Sequence, residues 1–262
     1  AYLMYTSGST GAPKGVLVPH AGIANRIAWA NCAYGVQASD SVLQVAAVGF
    51  DISLWEMLAP LYAGARLVIV SPDRHGDIAH LVDQIERHGV SGVHFVPSLL
   101  AAFVEHAEWP RCHSLRFIVT GGERVPPPLR AAVLSRSLQL FHAYGPTEAS
   151  ISVTHWQCSA RDPETYVPLG HPIAGTNVYV LDGEELAPPG CIGELCIGGV
   201  ALASAYADNP EATQASFTRA RFSPRERIYR TGDLGRMHDD GVLEFIGRRD
   251  QQLKLRGVRI EP

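Results

Sequence analysis

Residues 93–145 read VHFVPSLLAAFVEHAEWPRCHSLRFIVTGGERVPPPLRAAVLSRSLQLFHAYG, and short apolar runs alternate there with longer amphipathic segments. The apolar runs predict strands over Val93–Val96, Leu115–Val119 and Leu140–Ala143. The segments between them predict helices over Leu99–Glu108 and about Pro128–Leu138. A strand–helix–strand–helix–strand order implies a parallel sheet with right-handed crossovers.

The same alternation extends upstream, across residues 40 to 145. Residues 77–88 place four apolar side chains on one helical face, and Gly89 can end that helix. Ligands of open α/β sheets bind beyond the carboxyl ends of the strands. We therefore expect His94, Gly121, Gly122 and the turn Tyr144–Glu148 to surround one crevice.

From about residue 165 onward the pattern changes to short β-like runs separated by Gly, Pro and Asp turns. The clearest runs are Val178–Leu181, Gly193–Ile197 and Val242–Ile246. They predict a small antiparallel sheet or distorted barrel. The expected fold class is α/β, with a parallel-sheet core over residues 1–165 followed by a smaller β-rich subdomain over residues 166–246.

Composition narrows the class of protein. The chain has 262 residues, 46% of them hydrophobic and 18% charged, as in ordinary globular proteins. A net charge of −4 argues against nucleic acid as the main partner, and no apolar run has the length of a membrane span. Five scattered cysteines fit a reducing cytoplasm better than a disulfide framework or a zinc site. Because the chain starts in mid-strand at Ala1 and stops at Pro262, we expect a fragment of a longer protein.

The segment Tyr5–Gly15, YTSGSTGAPKG, is a Ser/Thr/Gly loop with one lysine between two strand-like runs. Such a loop offers backbone N–H groups, hydroxyls and a cation to a polyphosphate. It is not a Walker A loop, because Pro13 precedes Lys14 and a strand follows where a helix is required. A flexible surface hairpin is the alternative interpretation.

Six segments in order resemble the core motifs of the adenylate-forming superfamily, and more narrowly those of amino-acid adenylation domains of nonribosomal peptide synthetases. They are YTSGSTGAPKG, FDISLWE (50–56), AYGPTEAS (143–150), GELCIGG (193–199), YRTGDL (229–234) and GRRDQQLKLRGVRIE (247–261). The resemblance implies a fragment of the large N-terminal domain, truncated before Ala1, with residues 247–262 as a hinge segment leading to an absent C-terminal domain.

The resemblance also implies a reaction. A carboxylate and ATP would form an acyl-adenylate and pyrophosphate, with Mg²⁺ bound. The acyl group would then pass to the phosphopantetheine thiol of a peptidyl carrier protein domain, beside neighbouring synthetase domains in the cytoplasm. Such chemistry needs charge neutralisation and an in-line approach more than acid–base catalysis.

The nucleotide site follows by register with the family. Lys14, Thr147 and Glu148 would be catalytic, with Lys14 as a mobile cation, Thr147 at the α-phosphate and Glu148 as the Mg²⁺ ligand. Tyr144 would stack on adenine, and Asp233, on a fixed turn, would accept hydrogen bonds from the ribose. The full expected set is Thr6, Ser7, Gly8, Ser9, Thr10, Gly11, Lys14, Gly122, Tyr144, Gly145, Thr147, Asp233, Phe245 and Arg248.

Several of these residues have simpler interpretations. Glu148 could be a solvated residue of a proline turn, and Asp233 could cap a turn. Phe245 could be a core aromatic of a strand. Asp250, which the resemblance assigns to the hinge, could be an exposed salt-bridge partner.

The substrate class depends on Asp51, which relatives that activate α-amino acids use to pair with the α-ammonium. Its alternative role is to cap the helix through Trp55. The expected amino-acid pocket comprises Asp51, Ile52, Trp55, His94, Val119, Gly121, Ala143, Ile151 and Ser152. These positions favour a neutral, medium to aromatic side chain, including one that bears a hydroxyl. His94 could equally be a satisfied core histidine.

Two rival functions remain at this point. An acyl- or aryl-CoA ligase would have the same ATP site, although Asp51 and AYGPTEAS disfavour it. A non-catalytic binding module is the other, since the family's C-terminal lysine is absent from this chain. One departure is ALASAY (201–206), where many relatives read GVARGY.

Overall fold

The computed structural model describes residues 1–7, 13–250, 252–255 and 258–260. Its α-helices are α1 His20–Ala33, α2 Ile52–Ala63, α3 Ile78–His88, α4 Pro97–Glu105, α5 Pro127–Leu134 and α6 Pro210–Ser216. Its strands are β1 Tyr2–Thr6, β2 Lys14–Val18, β3 Ser41–Gln44, β4 Arg66–Ile69, β5 Gly92–Phe95, β6 Phe117–Gly121, β7 Gln139–Tyr144, β8 Thr154–Gln157, β9 His171–Pro172, β10 Thr176–Asp182, β11 Glu185–Leu186, β12 Gly193–Gly199, β13 Ala205–Tyr206, β14 Phe217–Ala220, β15 Ser223–Met237, β16 Leu243–Arg248, β17 Leu253–Leu255 and β18 Val258–Ile260. Within these ranges no helix combines the length and apolar character that a membrane crossing requires.

The chain divides into two compact units, each discontinuous in sequence. The first unit comprises residues 1–26, 144–156 and 168–262, and the second comprises residues 27–143 and 157–167. This division differs from the sequential one expected at residues 165 and 246. The N-terminal hairpin and the segment after β7 belong with the β-rich part of the chain.

The second unit contains the predicted parallel sheet. Its strands run in the order β4-β3-β5-β6-β7, and every neighbouring pair is parallel. Residues of β6 from Phe117 to Val119 are fully buried, as expected for a strand covered on both faces. The expected α/β class is confirmed.

Helix ends in the second unit follow local signals in one case and depart from the prediction in two. At α3 the Asp77 side chain accepts a hydrogen bond from His80 N, and Gly89 ends the helix with φ 58°. The helix predicted to reach Glu108 ends at Glu105, because His106 is extended and a 3₁₀ turn around Pro110 follows. The helix predicted to reach Leu138 ends at Leu134, before Ser137 with φ 59°.

In the first unit, two of the antiparallel sheets share a common apolar core. One has the order β1-β2-β13, and the other has the order β11-β10-β12-β15-β14 with β16 paired to β15. Side chains from both sheets, such as Val16, Leu195 and Tyr229, pack in the same cluster. The predicted antiparallel β-rich part is confirmed.

The strand β15 was not predicted as one element. The Thr231-Gly232-Asp233 segment was expected to form a turn, and that expectation is wrong. The backbone around it is paired with β12 on one side and with β16 on the other, with a register shift beside Leu234. Gly232 adopts φ 73° inside the strand. This glycine therefore permits a local irregularity of the sheet and does not reverse the chain.

Candidate active site

The predicted phosphate loop begins and ends in paired strands. In the β1–β2 hairpin Thr6 lies opposite Lys14. Residues Gly8–Ala12, including the expected ligands Gly8, Ser9, Thr10 and Gly11, lie outside the described residues. The Thr6 hydroxyl is buried without a hydrogen-bond partner among the described residues. The Lys14 ammonium lies 5.4 Å from the ring centroid of Tyr206. The hairpin thus places a hydroxyl and a cation opposite each other where the loop begins.

Three polar side chains of the expected nucleotide site form one hydrogen-bonded group in the first unit. The Tyr144 hydroxyl donates to Asp233 Oδ2 at 2.6 Å, and Arg248 Nη1 donates to Asp233 Oδ1 at 2.5 Å. Tyr144 and Asp233 are both buried. Burial, together with the neighbouring Asp233 charge, holds the pKa of Tyr144 well above its usual value. Tyr144 is therefore a neutral donor that orients the carboxylate.

Arg248 also holds Asp250. Its Nε and Nη2 donate to the two Asp250 carboxylate oxygens, each at 2.7 Å. Asp250 is half exposed and forms an ion pair with Arg248, which agrees with its simpler interpretation as a salt-bridge partner. The hinge role stays a prediction.

Glu148 and Tyr206 form a second polar pair. Glu148 lies in the 3₁₀ turn Thr147–Ala149. Its carboxylate is fully buried, and Oε1 accepts a hydrogen bond from the Tyr206 hydroxyl at 2.8 Å. Burial and the Glu148 charge raise the pKa of Tyr206 above its usual value. The solvated-turn alternative for Glu148 does not hold, since the residue is 0% exposed.

The backbone after this turn is tightly constrained. A Cβ at Gly145 would lie 2.5 Å from the Cα of Ser152, so glycine is required there. Ser150 and Ile151 adopt φ values of 55° and 80°, conformations that cost energy in residues other than glycine. Ser150 donates to the Ala201 carbonyl at 2.6 Å, which helps to hold the strained segment.

Two expected pocket residues, Ile151 and Ser152, lie in that constrained segment of the first unit. Both are buried, and buried Arg26 donates through Nε to Ser152 Oγ at 2.5 Å. The other expected pocket residues belong to the second unit.

Four of those residues lie on one face of the parallel sheet. His94 is opposite Val119, and Gly121 is opposite Ala143, so the register of β5, β6 and β7 gives their side chains a common side. A Cβ at Gly121 would lie 2.3 Å from the Ala143 carbonyl oxygen. Gly121 is thus required by strand packing, in addition to any effect on pocket size. The adjacent Gly122 has φ 85°, where β6 ends.

The other three lie at the start of α2. Asp51 occupies the N-cap position, yet its side chain makes no capping hydrogen bond. Ile52 is half-buried, and Trp55 is fully buried, with its ring centroid 5.7 Å from that of Tyr34. The Asp51 side chain therefore does not cap α2 in the way that the alternative interpretation expected.

Sequence reasoning missed two partners of site residues. Glu56 lies behind His94, with Oε1 3.6 Å from Nδ1, and is fully buried. Tyr206 contacts Glu148 and Lys14. Both residues lie within segments quoted from the sequence: Glu56 is the last residue of FDISLWE, and Tyr206 is the last residue of ALASAY. Phe245, by contrast, is half-buried against the core of the first unit, which agrees with its simpler interpretation.

The possible metal ligands around Glu148 can be compared with those that Mg²⁺ usually has in proteins. Among the described residues no group of three or more His, Cys, Asp or Glu side chains could hold a metal by itself. Mg²⁺ in phosphoryl-transfer sites is commonly held by one or two carboxylates, substrate phosphates and water. A single buried carboxylate fits that arrangement.

Comparisons with known proteins identify the family of the chain. Residues 1–207 match the AMP-binding enzyme family, and the chain belongs to that family. It is 47% identical to phosphinothricin tripeptide synthetase PhsB of Streptomyces viridochromogenes, over 100% of this chain and 22% of that protein. The resemblance drawn from the six motifs is thereby confirmed.

Two solved structures extend the comparison. The adenylation domain AlmE of Vibrio cholerae, in complex with glycyl-adenosine-5'-phosphate, matches with a TM-score of 0.88 and 28% identity, over 100% of this chain and 50% of that one. A nonribosomal peptide synthetase protein containing adenylation and PCP domains, bound to a vinylsulfonamide inhibitor, matches with a TM-score of 0.89 and 32% identity, over 100% of this chain and 46% of that one. The chain thus spans half or less of the length of each of these proteins.

Proposed function

We propose that the protein containing this chain activates an amino acid as its aminoacyl-AMP, with release of pyrophosphate from ATP. The position of Asp51 carries the proposal: an acidic side chain at the start of α2, in the same unit as the His94–Ala143 sheet face. A charge-assisted hydrogen bond from the substrate ammonium to Asp51 would discriminate against acids without an amine.

The first unit would supply nucleotide binding. Asp233, oriented by Tyr144 and Arg248, has carboxylate oxygens suited to the ribose hydroxyls. Tyr144 would flank the adenine and Thr147 the α-phosphate. Lys14, with Thr6 and Ser7 on the same hairpin, would neutralise phosphate charge as the adenylate forms.

Glu148 would hold Mg²⁺, which supplies charge neutralisation on the phosphate oxygens when bound. Tyr206, as the donor to Glu148 Oε1, would keep this carboxylate in one orientation. The residues of the chain thus bind and orient, and no acid–base residue is required.

The carrier of the activated group is a further part of the proposal. The solved relative with a PCP domain supports transfer to a phosphopantetheine thiol on a peptidyl carrier domain, with neighbouring synthetase domains alongside. Asp250 would then lie at the hinge of the segment 247–262. We expect the reaction to occur in the cytoplasm, where ATP is available.

Amino-acid-dependent exchange of pyrophosphate into ATP, measured on the full-length protein, tests the proposal. We expect exchange with one or a few amino acids and none with aryl or fatty acids. Exchange that occurs only with aryl or fatty acids would favour the CoA-ligase alternative. Nucleotide binding without exchange for any acid would favour the binding module.

A further inference from the structure

Glu56 is a buried carboxylate with no part in the roles assigned above. Its Oε2 accepts hydrogen bonds from the backbone N–H groups of Val45 and Ala46, at 2.9 and 2.8 Å. The residue lies on α2 and is 0% exposed. The two N–H donors hold this carboxylate in one orientation.

The other oxygen of Glu56 faces His94. Oε1 lies 3.6 Å from Nδ1 and has no hydrogen-bond partner among the described residues. His94 is only 6% exposed, so little water competes for this side of the ring. An ionised carboxylate only accepts hydrogen bonds, and it therefore favours a proton on the ring nitrogen that faces it.

A proton on Nδ1 of a neutral imidazole leaves a lone pair on Nε2, at the opposite side of the ring. Within the described residues no side chain or backbone group donates to that nitrogen. His94 shares its sheet face with Val119, Gly121 and Ala143, three expected pocket positions without a polar side-chain atom. Among these four positions, the acceptor on His94 is the polar side-chain group.

We propose that Glu56 is a positioning residue that fixes the Nδ1–H tautomer and orientation of His94, and that His94 Nε2 selects an amino acid whose side chain donates a hydrogen bond, such as a hydroxyl. This inference rests on the proposed amino-acid activation. It adds the chemical class of the substrate side chain and a residue that controls it.

Glu56→Gln is the informative substitution. The Gln carbonyl oxygen can still accept from Val45 and Ala46, while its NH₂ group then faces Nδ1. A donor at that side favours the opposite tautomer, with the proton on Nε2. Glu105→Gln, on the exposed surface of α4 in the same unit, is the matched control.

The first measurement is the tautomer of His94 by ¹⁵N NMR on the full-length protein, assigned with His94→Gln. We expect Nδ1–H in the parent and in Glu105→Gln, and Nε2–H in Glu56→Gln. Nε2–H in the parent would overturn the proposal. This measurement on the parent decides the point even if Glu56→Gln does not fold, and it does not depend on activity.

The second measurement is pyrophosphate exchange with matched pairs of amino acids: serine and alanine, threonine and valine, tyrosine and phenylalanine. In the pair the parent accepts best, we expect the hydroxyl form to be preferred. Glu56→Gln should reduce that preference roughly three- to tenfold through the KM for the amino acid, the size of one net hydrogen bond, with the KM for ATP unchanged.

The outcomes separate this inference from the proposed function. A parent without amino-acid-dependent exchange contradicts the proposed function, whatever the tautomer. A parent that exchanges normally, with an equal preference in Glu56→Gln and Glu105→Gln, leaves the proposed function standing and overturns the role of Glu56. A parent preference for the methyl or phenyl member of every pair overturns the substrate class.

Discussion

The two units hold their candidate site residues in different ways. In the first unit, polar groups meet one another: Tyr144 and Arg248 bind Asp233, and Tyr206 binds Glu148. In the second unit, four expected pocket positions lie on one sheet face, three of them without a polar side-chain atom, and their geometry comes from strand register. The first arrangement suits a ligand with fixed polar groups, such as a nucleotide. If the second binds the amino acid as proposed, we expect single side chains to change its selectivity without loss of the underlying fold.

This comparison predicts that disruption of a polar group in the first unit damages folding and binding together. Asp233→Ala leaves Tyr144 and Arg248 without their shared acceptor. Breaking such a buried charged pair typically costs about 3–5 kcal/mol. Urea unfolding should show that loss of stability, and calorimetric titration with ATP should show lost binding. Asp239→Ala, on the surface of the same unit, serves as the control. Unchanged unfolding of Asp233→Ala would mean that the paired network does not stabilise the first unit.

In the second unit, a site substitution should affect selectivity and leave nucleotide binding intact. Asp51→Ala removes the proposed partner of the substrate ammonium. The loss of a buried charged partner costs about 2–5 kcal/mol, which is a thirtyfold or larger decrease in kcat/KM for the amino acid. Steady-state exchange and ATP titration separate the two effects, with Asp73→Ala as an exposed control. A normal KM for the amino acid would rule out the ammonium contact.

A smaller effect on the first unit is expected when its proposed Mg²⁺ ligand is weakened but kept similar in shape. Glu148→Gln should raise the Mg²⁺ concentration for half-maximal exchange by on the order of tenfold, because a neutral amide is a poorer ligand for a hard cation. Tyr206→Phe should shift the same titration in the same direction, by less. Glu211→Gln, exposed in the same unit, should leave it unchanged. If Glu148→Gln titrates like the parent, Glu148 does not bind the metal.

The smallest effect should come from a charged cluster that serves neither site. Arg111 forms ion pairs with Glu86 and Glu108 on the surface of the second unit. Exposed pairs contribute little to stability and are screened by salt. Thermal unfolding of Arg111→Gln should match the parent at physiological salt. A clear decrease in Tm would show that surface charge also stabilises the second unit, which would weaken the contrast between the units.

The sequence could predict what depends on local pattern. The parallel order of β5, β6 and β7 followed from alternating apolar and amphipathic segments, and the end of α3 followed from Gly89. The strand through Asp233 could not be predicted in this way, because Thr-Gly-Asp has the composition of a turn. Strand pairing on both sides overrides that local preference.

The candidate site shows the same limit. Family motifs identified Asp233, Glu148 and His94, but not which side chains contact them. Tyr206 contacts Glu148 from 58 residues away, and Tyr144 contacts Asp233 from 89 residues away. Such contacts depend on how strands pair across the unit, which single-sequence periodicity does not encode.

The length of β15 has a consequence for insertions. From Tyr229 to Gly235 alternate residues are buried, and Asp233 is one of them. Because side chains alternate across a strand, one residue added between Tyr229 and Asp233 would turn the carboxylate to the opposite face, away from Tyr144. Two added residues would restore the face but displace the carboxylate along the sheet. The spacing between these two residues is thus as much a part of the candidate nucleotide site as the aspartate itself.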